Sequence, residues 1–384
     1  PLDTQLAATG QQVLLGLWVW LVVSSLGLAR WSAASTPSQE GRRRWWPALV
    51  TVGLLAPVVL SFRGDHRRLL QMNAANERGQ YERTLALARR LVGRPFALPA
   101  QHALNYALYK QGALGERMFS YPQYAEGLLL GMQCGPRLPY REVRLRRRWQ
   151  SVECGRRFLE LGLANQAERE AHEALTRRGE QAPTLRLLAD INLVKKQPAT
   201  ARRYLYRLLR CPTAAAWARE RLAALDRDPD WLGGEELRAA RERLLDADVN
   251  DSDVELDKQC RALLRRNPAN RMAFEYLLAY HLLNRDLKRF MTELEGLPRV
   301  GYSALPRHWQ EAAVLAAATG HLTLGLPGYR VDPAVYLDFQ RFSALVTPLQ
   351  QRGALREAER AAARDFGNTY FYYYVFGQSG VGKP

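Results

Sequence analysis

The feature that most constrains the fold of this chain is a helical sequence repeat of about 34 residues after residue 157. Apolar residues recur there at three- and four-residue spacing between short turns, which predicts helices. A 34-residue helix–turn–helix period is typical of tetratricopeptide (TPR) repeats. Since one helix pair cannot bury its apolar face alone, we expect neighbouring pairs to stack around a shared core. The offset matches Leu159 with Leu193, Ala167 with Ala201, Ala171 with Leu205, and Leu175 with Leu209.

Further repeats flank this segment, although they are degenerate. The upstream match, at 33 residues, pairs Gly79 with Gly112, Tyr81 with Leu114, and Leu85 with Met118. Another helix pair is predicted within 270–294, and the insertions 133–148 and 226–234 separate the repeats. The sequence therefore predicts an all-α chain in which residues 70–376 form a degenerate TPR-like alpha-solenoid.

The N-terminal residues 1–69 are predicted to form a membrane hairpin. Segments 11–29 and 45–62 carry no charged residue. Each is just long enough to cross a hydrocarbon core of about 30 Å as a helix. A signal peptide is disfavoured because a second apolar segment follows at once and the first lacks a basic leader. A buried core hairpin remains the alternative.

Charge around the two predicted spans bears on their orientation. The loop between them contains Arg42, Arg43 and Arg44, and the positive-inside rule places such a loop in the cytoplasm. We therefore expect the chain in the inner (plasma) membrane with its large domain in the periplasm. Arg63, Arg67 and Arg68, just after the second span, argue for the opposite orientation.

The chain carries a formal net charge of +17, which is compatible with nucleic acid, anionic lipid or an acidic protein partner and does not choose among them. The densest basic run supplies Arg144, Arg147 and Arg148, which would share a face of a helix and are candidate contacts to a partner or to lipid. A solvated helix face is the plainer interpretation. Aromatic residues do not interleave with this run, which argues against nucleic acid.

The C-terminus combines an aromatic block with a Gly-rich string. Tyr372, Tyr373 and Tyr374 belong to a block predicted to cap the last repeat as a helix or strand, or else to contact a partner or the membrane. The string from Gly377 to Lys383 matches half of a P-loop, but Pro384 supplies no magnesium-binding hydroxyl. We therefore expect no nucleotide binding and interpret 377–384 as a flexible tail.

Catalytic and metal-binding signals are weak. The sequence has no C-x-x-C, H-E-x-x-H or G-x-S-x-G motif, so we predict no catalytic residue, cofactor or metal site. His308 and Glu311 have a spacing that suits two metal ligands on a helix, but polarity of a helix surface explains them better. A Cys134–Cys154 disulfide is an alternative to simple packing if the domain is periplasmic.

Four stretches resemble a family of Bacteroidota membrane proteins with N-terminal spans and a C-terminal TPR-like domain. They are LNYALYKQGALGERMFSYPQ (104–123), NRMAFEYLLAYHLLNRDLKRF (270–290), WQEAAVL (309–315) and FGNTYFYYYVFG (366–377). The resemblance covers most of the chain except its last seven residues. It implies a membrane-tethered helical domain and no particular activity.

Together these features predict a membrane-tethered helical-repeat scaffold that binds other proteins in a cell-envelope complex. The alternative is a subunit of a membrane enzyme or transport system whose active part lies in further N-terminal spans, since the chain opens on proline rather than methionine. An adaptor that binds nucleic acid or lipid through its arginines is a third interpretation.

Overall fold

The computed structural model describes residues 64–89, 91, 97–129, 152–245, 255–320 and 328–377. The chain divides into two compact units, Pro1–Arg68 and Leu69–Pro384. The predicted spans 11–29 and 45–62 lie outside the described residues and stay predictions. Within the described ranges, no helix is both long enough and apolar enough to cross a membrane.

The described ranges confirm the all-α prediction, because every regular element in them is helical. The α-helices are α1 (Gly64–Glu77), α2 (Tyr81–Ala88), α3 (Ala97–Lys110), α4 (Leu114–Arg117), α5 (Val152–Leu161), α6 (Ala164–Arg178), α7 (Ala182–Val194), α8 (Pro198–Leu208), α9 (Ala215–Arg227), α10 (Glu235–Glu242), α11 (Leu256–Arg266), α12 (Arg271–Leu283), α13 (Leu287–Leu294), α14 (Arg307–Ala318), α15 (Pro333–Gln351), α16 (Leu355–Phe366) and α17 (Tyr370–Phe376). Short 3₁₀ segments lie at Met118–Ser120, Ala125–Gly127 and Leu297–Val300.

Several consecutive helices pack as pairs, and the pair α5–α6 packs on the pair α7–α8. Helix α5 packs against α6, α7 against α8, and α7 also against both α5 and α6. The 34-residue offset is a true structural equivalence, because Leu159 and Leu193 are buried at the ends of α5 and α7. Ala167 and Ala201 are both fully buried on α6 and α8, where their small side chains allow the helices of a pair to approach closely.

One kind of turn joins the helices of several pairs. A residue with positive φ follows the first helix, and the N–H after it bonds to the carbonyl five residues earlier at 2.8 to 2.9 Å. This is the hydrogen bond of a Schellman motif, which satisfies carbonyls that a helix end leaves open. The positive-φ residues of these turns are Gly79, Gly112, Gly162, Lys196, Arg285 and Gly353. Lys196 and Arg285 adopt this conformation without being glycine, so sequence matching by glycine misses their turns.

The described apolar residues form two clusters. The larger one extends from α1 to α17, and the smaller lies between α7, α8 and α9. In the smaller cluster Ala189, Leu205 and Ala218 are fully buried, one from each of the three helices. The shared cores are the expected consequence of stacking helix pairs that cannot bury their apolar faces alone.

The aromatic block at the C-terminus is the helix α17, one of the two structures that its sequence allowed. The Thr369 hydroxyl caps its start by accepting a hydrogen bond from the Tyr372 N–H. The Tyr370 and Tyr373 hydroxyls donate to the carbonyls of Leu282 and Leu283 at 3.2 and 2.9 Å. Those carbonyls belong to the last turn of α12, so α17 closes the end of that helix.

The first glycine of the P-loop-like string has a structural role. Gly377 has φ 72° and its N–H donates to the Tyr373 carbonyl at 2.8 Å, so it ends α17. A left-handed glycine after the last turn is a common helix stop. The rest of the predicted tail, 378–384, lies outside the described residues.

Candidate partner-binding surface

The contact residues predicted from sequence fall in different places. Arg144, Arg147 and Arg148 lie outside the described residues, so their role stays a prediction. Tyr372 and Tyr373 are buried, which makes their rings part of the core of the chain. Tyr374 is half-buried, and its contact with a partner or lipid stays a prediction.

The interpretation of His308 and Glu311 as part of a polar helix surface is wrong, because both side chains are buried. The Glu311 carboxylate accepts hydrogen bonds from Arg307 Nε at 3.0 Å and from the Tyr370 N–H at 2.7 Å. His308 lies between the Phe119 N–H, at 3.4 Å, and the Asn368 carbonyl, at 3.2 Å. The pair joins α14 to the chain before α17 rather than facing a common ligand.

Other candidate ligands are also dispersed. Within the described ranges, no three His, Cys, Asp or Glu side chains lie close enough to hold a metal ion. Cys154 and Cys260 are fully buried among apolar residues, as packing cysteines are. Cys134 lies outside the described residues, so its pairing with Cys154 stays untested.

A different group of side chains, which we call the Arg–Trp surface, meets on neighbouring helices. It consists of Arg156, Arg186, Asp190, Trp217, Arg221 and Trp231, all of them half-buried. Residues four apart lie on one face of a helix. That spacing joins Arg186 to Asp190 on α7, and Trp217 to Arg221 on α9. Arg156 comes from α5, so three helices each contribute one guanidinium.

The two indoles of the surface lie against the guanidinium groups. The guanidinium carbon of Arg221 is 3.7 Å from the ring centre of Trp217 and 5.6 Å from that of Trp231. Arg186 lies 5.0 Å from the ring centre of Trp217. These are cation–π distances, and the attraction holds the guanidinium groups against the indole rings. A guanidinium stacked in this way keeps its edge N–H groups available to an acceptor.

Several polar atoms of this surface have no hydrogen-bond partner in the described part of the chain. They include Asp190 Oδ1 and the Nε atoms of Arg186 and Arg221, all of which are buried. Buried polar atoms are usually paired, so these unpaired ones set the Arg–Trp surface apart from the ordinary packing of the described helices. Arg186 also donates from Nη2 to the Thr213 carbonyl at 3.3 Å, and Arg156 pairs with Glu77 at 3.0 Å.

The Asp190 carboxyl responds to this environment. Burial raises its pKa to about 6, although the positive charges of Arg221, Arg156 and Arg186 act in the opposite direction. The side chain makes no ion pair within 4.0 Å with any described residue. The surface thus combines cationic donors with a carboxyl group whose cost of burial is only partly offset by the neighbouring positive charges.

The loop before α10 supplies Trp231 and borders a cavity of about 340 Å³. Gly233 has φ +76°, and a Cβ at this position would lie 2.7 Å from the Trp231 ring. Glycine is therefore required for the indole to fold back on its own loop. The cavity is lined by Asp228, Asp230, Trp231, Leu232, Gly233, Gly234 and Arg238.

Helix α10 holds this loop in place by crossing the ends of two earlier helices. Arg241 Nη2 donates to the Leu193 carbonyl at 2.7 Å, and Arg243 Nη1 donates to the Glu160 carbonyl at 2.9 Å. These carbonyls lie in the last turns of α7 and α5, where a positive charge is favourable. The insertion predicted at 226–234 is therefore followed by a helix that is anchored to two repeats earlier in the chain.

A family comparison covers almost the whole chain. The model of a family of unknown function, DUF6057, matches residues 4–377. The chain belongs to DUF6057. No curated protein and no solved structure matches it. The match therefore spans every described helix of this chain, but the family description assigns no function and names no TPR-like domain.

The sequence of this DUF6057 member contains a signal for the Arg–Trp surface that matches none of the catalytic or metal-binding motifs. The four-residue spacing puts Arg186 and Asp190 on one face of α7. The same spacing puts Trp217 and Arg221 on one face of α9. Such spacing is common in any helix, so only the packing of α5, α7 and α9 gives it meaning. Chemically, the assembled surface can bind a planar anion through guanidinium edges and an apolar group through the indoles.

Proposed function

We propose that this chain is a TPR-like helical-repeat scaffold, tethered to the cell-envelope membrane, that binds a partner protein through the Arg–Trp surface. The observation that carries this proposal is the convergence of Arg186 and Arg221 on Trp217, since all three side chains are only half-buried and remain partly open to a partner. Arg and Trp are enriched among the residues that dominate protein interfaces. Stacked helical repeats commonly present such surfaces to partners.

The TPR-like assignment rests on period and turn geometry. The pairs α5–α6 and α7–α8 repeat at 34 residues, and both turns use a positive-φ residue, Gly162 and Lys196. That length and helix–turn–helix form agree with the TPR repeat.

The tether rests on the uncharged segments 11–29 and 45–62. Their lengths suit membrane spans, and the basic loop between them favours a periplasmic large domain. Placement in a cell-envelope complex follows from these two assignments and from the absence of a recognisable catalytic motif in the sequence.

Site-specific photocrosslinking in cells tests the partner proposal. A photoreactive amino acid at Trp217 should give a defined crosslinked product, whereas the same residue at Tyr206 should not. Tyr206 is a suitable control because it is an exposed aromatic residue on the neighbouring helix α8. Equal crosslinking at both positions, or none at Trp217, would contradict the proposal.

Labelling of a single cysteine tests the topology. Cys211 is the accessible choice, since it is half-exposed while Cys154 and Cys260 are buried. In a variant whose other cysteines are alanine, a membrane-impermeant maleimide should label Cys211 from the periplasmic side of intact cells. Labelling only after the membrane is broken would place the large domain in the cytoplasm.

A further inference from the structure

The charges on the Arg–Trp surface restrict the kind of partner it can bind. Arg156 is paired with Glu77. The two remaining guanidinium groups, Arg186 and Arg221, face the single carboxylate of Asp190, so the surface keeps an excess of positive charge. The Arg221 guanidinium makes no ion pair with any described residue and stacks on Trp217 instead. A guanidinium with unused edge donors binds carboxylates well, because its N–H groups match both carboxylate oxygens.

The surface also contains acids, and their positions distinguish between anionic partners. Asp190 lies among the arginines, the charge of Glu236 acts on it, and Asp228 and Asp230 line the cavity beside Trp231. A nucleic-acid strand presents a phosphate at every nucleotide and would meet these acids along its length. A peptide can place single carboxylates against the arginines and uncharged residues against the acids.

The indoles indicate a second requirement. Trp217 and Trp231 are half-buried, so part of each ring is open to a partner. Large aromatic rings gain binding energy by burying apolar side chains next to well-placed polar contacts. A partner segment that combines acids with apolar residues fits both the indoles and the guanidinium groups.

We infer that the Arg–Trp surface binds an acidic peptide segment of the partner protein, in which Asp or Glu side chains engage Arg186 and Arg221 and an apolar side chain packs on Trp217. This inference rests on the proposed scaffold function and adds the chemistry of the partner. Substitution of both arginines should therefore weaken binding about 10- to 100-fold, because half-buried guanidinium groups would lose their charge-assisted hydrogen bonds to the peptide.

A peptide-display selection on the full 384-residue chain tests the inference. A random peptide library is selected on the wild type and counter-selected on R186Q/R221Q. The control variant R203Q/R219Q removes two exposed arginines outside the surface, so it loses the same charge. A fluorescent single-stranded RNA 20-mer is titrated in parallel.

The inference predicts that selected peptides are rich in Asp and Glu with at least one large apolar residue. They should bind the control variant as tightly as the wild type, and R186Q/R221Q 10- to 100-fold more weakly. Neutral or basic peptides, no enrichment, or RNA binding that is lost in R186Q/R221Q would each overturn it. Crosslinking at Trp217 without acidic enrichment would reject the acidic partner while leaving the scaffold function in place.

Discussion

The Glu311 carboxylate on α14 accepts a 2.7 Å hydrogen bond from the backbone N–H of Tyr370, the first residue of α17. Two segments 59 residues apart in sequence are joined by this contact. Its acceptor is a fully buried acid, held also by Arg307 at 3.0 Å. The position of the C-terminal helix therefore depends on a side chain that is costly to bury in its charged form.

Glu311 should make stability depend on pH near neutrality. Burial raises its pKa to about 7, whereas hydrogen bonds from Tyr370 and Arg307 lower it. The folded state then binds a proton that the unfolded state has lost, so Glu311 stabilises the fold at pH 5 and this contribution disappears as the pH rises to 8. Relative to E311Q, the wild type should lose on the order of 2 kcal/mol of unfolding free energy across this interval.

Urea unfolding at several pH values measures the difference between wild type and E311Q, which cancels the titration of other groups. The exposed Glu242 on α10 provides the control, since E242Q should follow the wild-type pH profile. Parallel profiles for wild type and E311Q would show that Glu311 has no raised pKa.

The Tyr373 hydroxyl should contribute to stability. Y373F removes the donor to the Leu283 carbonyl, which lies 2.9 Å away, and both groups are buried in the packed end of α12. An unpaired buried carbonyl costs about 1–2 kcal/mol. Chemical denaturation should show this loss for Y373F and almost none for Y336F, because Tyr336 is exposed on α15. Equal effects for the two variants would contradict the assigned hydrogen bond.

The turn between α7 and α8 should be improved by glycine. Lys196 is exposed and has φ 57°, a conformation that costs residues with a side chain about 1 kcal/mol. K196G should therefore raise the unfolding free energy by up to about 1 kcal/mol. The neighbouring variant Q197G has no such strain to relieve, because Gln197 has φ −117°, and it should not stabilise the chain.

The equivalent turn between α5 and α6 should respond in the opposite direction. Gly162 has φ +109°, and a Cβ there would lie 2.4 Å from the Arg243 carbonyl oxygen. G162A should lower the unfolding free energy by about 2 kcal/mol or more through strain and displacement of α10. A thermal-unfolding midpoint unchanged from wild type would rule out this close approach.

Helix α10 should loosen without its two arginine contacts. R241A/R243A removes donors to the Leu193 and Glu160 carbonyls. Hydrogen–deuterium exchange should become faster in 235–242 while 198–208 keeps its protection, since α8 makes neither contact. The variant R238A is the control, because Arg238 is exposed on the same helix. Unchanged exchange in the double variant would mean that apolar packing alone holds α10.

Much of the described architecture could be predicted from the sequence because helical periodicity and repeat length are local properties. The matches of Leu159 with Leu193 and of Ala167 with Ala201 correspond to equivalent buried positions. The helix or strand alternatives for the aromatic block were not resolved by sequence, since a short aromatic run suits either. Contacts of Tyr370 and Tyr373 with the end of α12 favour the helix.

Only the tertiary structure determined that the Arg–Trp surface assembles and that Glu311 is buried. Arg156, Arg186 and Arg221 lie on three separate helices, and periodicity gives each residue a helical face without saying which helix packs beside it. For the same reason the spacing of His308 and Glu311 suggested a polar helix surface, whereas in the packed structure both side chains are buried. The sequence by itself determined the helices and their repeat, whereas the packing of helices distant in sequence decided which polar groups meet.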